Sequence, residues 1–265
     1  MPADTPRRAL ALSTPSVALG VIAWLAYTAV TVGVQASADI PYDQWFTTAA
    51  NAWRVGVASL VAGALLLIVL VAATRWNHLW RDPVRLPVSP LMKFAIAAWW
   101  TAIVLRLLGV RWREVPLDLL AAMATAGVLV GFAEELLFRG FFLRGLREGG
   151  RPESSAAVWT AVAFGVFHLP NIVMGTGLVG LLQVVLAAAS GAVLYAMRRQ
   201  AGVLWPAMVA HGAWDVSVFL SGGYAQPWAT LASLVLQVMV TLLGLVILVG
   251  LYRNDRTTVP LPATR

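Results

Sequence analysis

The chain has 265 residues, of which 60% are hydrophobic and 12% charged, with a formal net charge of +7 and no cysteine. Ordinary soluble domains carry about 25% charged residues, so this composition describes a polytopic membrane protein. Without cysteine, disulfides, thiolate metal sites and a cysteine nucleophile are all excluded.

In chain order, eight apolar runs read as spans: Val17 to Val34, Val55 to Ala73, Leu91 to Leu108, Leu119 to Phe142, Ser155 to Leu169, Leu178 to Met197, Val203 to Leu220 and Leu231 to Leu251. Most approach the roughly 20 residues needed to cross a bilayer. None alternates with period 2, which argues against a β-barrel. The expected fold is all-α, a transmembrane helical bundle of about eight spans. Arg7 and Arg8 before the first run, and Ala36-Ser37-Ala38 after it, resemble a signal peptide with its cleavage site. The run exceeds the roughly 7 to 15 residues of a signal core, so it reads as an uncleaved span. Ser89-Pro90 supplies a cap and first turn for the third helix. Pro170 stops the fifth just after His168, leaving a short span and a turn over Leu169 to Gly177 within the membrane. Irregular backbone at that depth is tolerated only where protein buries it or a water-filled cavity adjoins it.

Arg7 and Arg8, the segment with Arg75, Arg81, Arg85 and Lys93, the segment with Arg144, Arg147 and Arg151, the pair Arg198 and Arg199, and Arg253 with Arg256 fall at alternate span ends. The positive-inside rule then expects a cell-membrane protein with both termini cytoplasmic. Arg111 and Arg113 dissent, partly offset by Glu114 and Asp118. The arginines form no basic helix face or stacking platform, so no nucleic acid is expected as a partner. Anionic lipid of the bilayer and topology control account for them, and Arg144, Arg147 and Arg151 read as positive-inside bias. Trp76 and Trp80 read as an interfacial belt around His78, which is assigned no function.

Chemistry concentrates in Glu134-Glu135-Leu136-Leu137-Phe138-Arg139, three ionisable residues deep in an apolar run. Such residues at bilayer depth are functional-site candidates by default. At about 1.5 Å per residue, Glu134 lies about 15 Å above Arg144, His168 about 20 Å above Ser155 and His211 about 18 Å above Arg199. All three reach the middle of a hydrocarbon core roughly 30 Å thick. Glu135 and Arg139 are four apart in the order favoured for an ion pair, while Glu134 points about 100° away. The pair therefore reads as structural and Glu134 as reactive. His211 and Asp215 share a face, as do Phe164 and His168; Phe164, Phe167 and Trp214 read as cavity walls.

The ordered trio of Glu134-Glu135-Leu136-Leu137-Phe138-Arg139, Phe164 to His168 and His211 to Asp215 resembles the CPBP family of CAAX-protease and bacteriocin-processing (Abi) intramembrane proteases. The resemblance covers roughly Pro116 to Leu220. It divides the chain into N-terminal helices (1–115), a catalytic core (116–221) and a last span with its tail (222–265). It implies a glutamate-dependent endopeptidase without cofactor or metal, acting on a membrane-associated peptide or protein. By carry-over, Glu134 and His168 activate water, and His211 with Asp215 stabilises the oxyanion, with Glu135, Arg139 and Phe164 in support. The family usually has Asn where this chain has Asp215. An aspartic acid replaces an amide donor only when protonated; the other role open to Asp215 is that of an ionised partner orienting His211, and the donor role is the expectation.

Three other classes compete. A zinc hydrolase would use Glu134, His168 and His211 as ligands, although no H-E-x-x-H is present. A non-catalytic immunity or scaffold protein would keep the fold alone. A proton-coupled transporter would also bury Glu, His and Asp, but the sequence shows no internal repeat.

Overall fold

The computed structural model describes residues 12–255 together with Thr257 and Val259. Arg7, Arg8 and Arg256, on which part of the expected orientation rests, lie outside the described residues. Eight long helices form the bundle: α1 (Val17–Ser37), α2 (Ala49–Thr74), α3 (Pro90–Leu108), α4 (Leu117–Glu148), α5 (Glu153–Val166), α6 (Val179–Ala201), α7 (Trp205–Tyr224) and α8 (Pro227–Asn254). They coincide with the eight apolar runs, and no strand occurs among the described residues. The chain is thus a multi-pass helical membrane protein.

Six of the eight helices, α1 to α4, α6 and α8, are long and apolar enough to cross a membrane on their own. The other two adjoin or carry candidate residues. Helix α5 has 14 residues and ends just before His168, and α7 carries His211 and Asp215. Large apolar side chains such as Leu25, Leu65, Val128 and Leu231 stay exposed on the outside, the distribution a lipid solvent favours. Ser89 caps α3 through its Oγ, which accepts from the Met92 amide at 3.2 Å, with Pro90 in the first turn.

Close approach of α4 and α7 sets up the interior. Gly127 and Gly131 are spaced as a small-xxx-small pair, and they face Met208 and Gly212 of α7. A Cβ on Gly131 would collide with the Met208 carbonyl, and one on Gly212 with the Gly127 carbonyl. Small residues at a crossing let backbones touch, a main source of helix association in lipid. One turn beyond Gly131 the same crossing brings Glu134 and Glu135 against His211. There α4 widens into a π-helical stretch over Leu136–Phe142. Such stretches recur at functional sites.

At the Arg-rich end, Arg75, Arg81, Arg85 and Arg151 are exposed, but four other arginines, including Arg199, turn inward. Arg144, Arg147 and Arg198 are buried. Arg147 forks onto Glu153 at 2.9 and 2.6 Å and reaches Asp82 at 2.9 Å, and Arg198 meets Asp82 at 2.6 Å. Positive-inside bias alone therefore does not describe Arg144 and Arg147; they tie the α2–α3 loop to α4, α5 and α6. Burial acts to raise the Asp82 carboxyl, but the Arg198 and Arg147 guanidiniums outweigh it and hold it below its ordinary value. Trp76 likewise departs from the interfacial reading. It is buried, donates its indole N–H to the Leu12 carbonyl at 2.8 Å and packs on Phe141. Trp80 remains half exposed. At the opposite end Arg111 pairs with Glu114 at 2.8 Å, the offset expected for it.

Candidate active site

Glu134, His168, His211 and Asp215 line one cavity of about 280 Å³ between the helices, with Phe164, Phe167 and Trp214 among its walls. The sequence placed the first three at one depth, and the fold brings all four together. The cavity contains a polar rim. Gln183 donates to the Tyr42 hydroxyl and accepts from the Asn171 amide, both at 3.1 Å, which ties the α1–α2 loop to the turn after α5. That turn is irregular as expected, with Gly175 at φ 131° and Gly177 at φ 54°, backbone that favours glycine.

Glu135 and Arg139 form the expected pair, at 2.6 Å and fully buried. The pair does more than join two turns. The same Glu135 Oε1 accepts from His211 Nδ1 at 2.9 Å, and Arg139 donates to the Gly191 carbonyl at 3.0 Å while its guanidinium lies 4.4 Å from the centre of the Phe164 ring. The orienting partner of His211 is therefore Glu135, not Asp215. With Nδ1–H given to Glu135, His211 directs Nε2 into the space between Glu134 Oε2, at 3.9 Å, and Asp215 Oδ2, at 3.8 Å. Those separations exceed a hydrogen bond. They leave room for the oxygen of a water or a substrate.

His168 is fixed from its other side. Its Nδ1 lies 2.9 Å from the Phe164 carbonyl, which only accepts, so Nδ1 carries the proton and the neutral ring keeps Nε2 as an acceptor. Phe164 also stands between the histidines. Its ring meets His168 and His211 edgewise, with centroids at 5.2 and 5.4 Å. An apolar wedge of this kind keeps the two imidazoles from bonding to each other.

Arg106 was missed as a site residue. It sits on α3, buried, with its guanidinium 4.0 Å from the centre of the Trp214 ring. The signal lay in the spacing: Ala95, Ala98, Trp99, Ala102, Ile103 and Arg106 make one inward stripe on α3. Read only as a residue near a span end, Arg106 showed no direction.

The site is thus a buried carboxylate and two oriented imidazoles around one internal cavity of an all-helical membrane bundle. Residues 116–217 match the family model described as Type II CAAX prenyl endopeptidase Rce1-like. The matched segment contains all three motifs, in line with the resemblance they carry. No curated protein matches the chain, and no solved structure does.

Proposed function

We propose that the chain is an intramembrane endopeptidase that hydrolyses a peptide bond of a membrane-associated peptide or protein, in the cell membrane and with both termini cytoplasmic. One observation carries the reading: a buried carboxylate, Glu134, faces an internal cavity together with one imidazole fixed as an acceptor and another fixed to direct its second nitrogen inward. In this reading Glu134, with His168 Nε2 helping to hold the water, takes one water proton as the oxygen attacks the scissile carbonyl carbon. His211 Nε2–H, with Asp215 beside it, donates to the oxyanion that forms. The C–N bond then breaks, and the proton on Glu134 passes to the leaving amine. Charge develops where water is scarce, so each donor acts strongly.

The Rce1-like match supports a protease-type hydrolase and does not by itself fix these roles. Among the described residues no three His, Cys, Asp or Glu side chains converge as ligands for a metal ion, and the zinc alternative is tested by chelators. The test is cleavage of quenched fluorogenic peptides bearing an apolar anchor, by purified protein in detergent. Wild type is expected to cleave one of them with and without a zinc chelator, and Glu134→Gln to cleave none. Equal activity of the two would overturn the reading. Absence of any cleaved peptide, in the assay and in comparative membrane proteomics of the two proteins, would favour the scaffold alternative.

A further inference from the structure

Three carboxylates surround the His211 ring within 4 Å: Glu135 on Nδ1, Glu134 and Asp215 about Nε2. Arg139 answers Glu135. If His211 carries two protons, it answers a second carboxylate, and one negative charge still has no counterpart. At this depth an uncompensated charge is strongly disfavoured, whereas a balanced group is tolerated.

Arg106 is a further buried cation beside this group. It comes from α3, which lies outside the segment matched by the family model, and its residue is 3% exposed. Its Nη2 donates to Gln237 Oε1 of α8 at 3.1 Å, and Nη1 has no hydrogen-bond partner in the protein. Its guanidinium lies over Trp214, the residue next to Asp215, and Trp214 is also stacked on Trp99 with ring centres 4.0 Å apart. Trp99 in turn donates to the Ala210 carbonyl at 3.0 Å, so α3 grips the turn of α7 that presents His211 and Asp215. The charged and titratable groups that act on Asp215 are His211 on its own helix, Glu134 and Glu135 of α4, and Arg106 of α3, while its charge also reaches Tyr42 of the α1–α2 loop.

We propose that Arg106 is the counter-charge of Asp215 and a positioning residue of the site, which keeps Asp215 a carboxylate and thereby lets His211 stand doubly protonated with Nε2–H aimed at the oxyanion. Asp215 is then an ionised group, in place of the protonated donor expected from the sequence. The consequence for turnover rests on the endopeptidase reading, while the electrostatic pairing does not.

A double-mutant cycle separates the pairing from mere packing, with turnover of a cleaved anchored peptide and thermal unfolding in detergent as its two readouts. Arg106→Gln is expected to lower turnover at least about tenfold beside Asp215 and less than about threefold beside Asp215→Asn, the mark of coupled residues. Arg106→Lys keeps the charge and is expected to recover part of the loss. Thermal unfolding should show the same pattern: Arg106→Gln lowers the midpoint in the Asp215 protein and changes it little in the Asn variant. Should Arg106→Gln alone fail to fold, its recovery in the double variant supports the pairing, and failure in both backgrounds overturns it. Equal losses in both backgrounds, in either readout, also overturn it. If no peptide is cleaved by wild type, the endopeptidase reading falls, and the unfolding cycle still decides the charge pairing.

Discussion

Two buried ionic clusters occupy this bundle, and they differ in how completely they satisfy themselves. At the Arg-rich end, Asp82 accepts from Arg147 and Arg198, Arg147 forks onto Glu153, and Tyr195 donates to Glu153 at 2.7 Å. No polar side-chain atom of Asp82, Arg147, Glu153 or Arg198 is buried without a partner, and the neighbouring Arg144 leaves only its Nη2 unpaired. In the middle of the bundle, Glu135 Oε2, Arg139 Nε and Arg106 Nη1 lack partners, and His211 Nε2 stands 3.8 and 3.9 Å from two carboxylates. Buried polar groups normally pair, so a cluster that does not is a place held open for something else. The first cluster locks loops to helices; the second keeps unused hydrogen-bonding capacity beside the cavity, which the proposed hydrolysis would use. They touch at one point, where Arg198 donates to the Arg139 carbonyl.

The sharpest way to break this contrast is to exchange a single oxygen in each cluster. Glu134→Gln is expected to reduce turnover by about 10²–10⁴-fold, the scale of a lost general base, with the unfolding midpoint in detergent close to wild type. A Gln variant with normal turnover would erase the functional half of the comparison. Asp82→Asn should do the reverse. It strands Arg147 and Arg198 and is expected to cost about 3–5 kcal/mol of stability, read by thermal or denaturant unfolding, while the protein that remains folded turns over normally.

Glu135→Gln tests the point where the two kinds of role meet, because Glu135 both pairs with Arg139 and receives His211. Lower stability together with roughly tenfold lower turnover is expected, and the two losses should be coupled to Arg139→Ala. A variant with the unfolding midpoint of wild type would refute the structural half of that role. The smallest effect is that of pH on the Arg-rich end. Asp82 is held below its ordinary value in the folded protein, so its contribution is present above the unfolded carboxylate value and is lost as pH falls through the lower folded value. The unfolding midpoint should therefore be insensitive to this group between pH 7 and 5 and should fall below about pH 4. Asp82→Asn should remove that acid limb, and an unchanged limb in the variant would assign it elsewhere.

Much of this molecule was written in local pattern. Run length and hydropathy sufficed for eight helices, because each must satisfy its backbone within itself in lipid. The four-residue spacing of Glu135 and Arg139 sufficed for their ion pair, since residues four apart share a helix face whatever surrounds them. Counting residues from the basic ends brought Glu134, His168 and His211 to one level, because helical rise converts sequence distance into depth. Direction around a helix, and the identity of the neighbour met there, was another matter. That Glu135 rather than Asp215 receives His211, that Arg106 turns inward onto Trp214, that Trp76 packs in the core, and that Arg144 and Arg147 are buried all depend on which helices become neighbours. A glycine crossing between α4 and α7 and an aromatic grip from α3 decide those contacts across separations of 76 residues for Glu135 and His211 and 111 for Trp99 and Ala210. No local rule of spacing reaches that far, and only the packed bundle brings such partners within bonding distance.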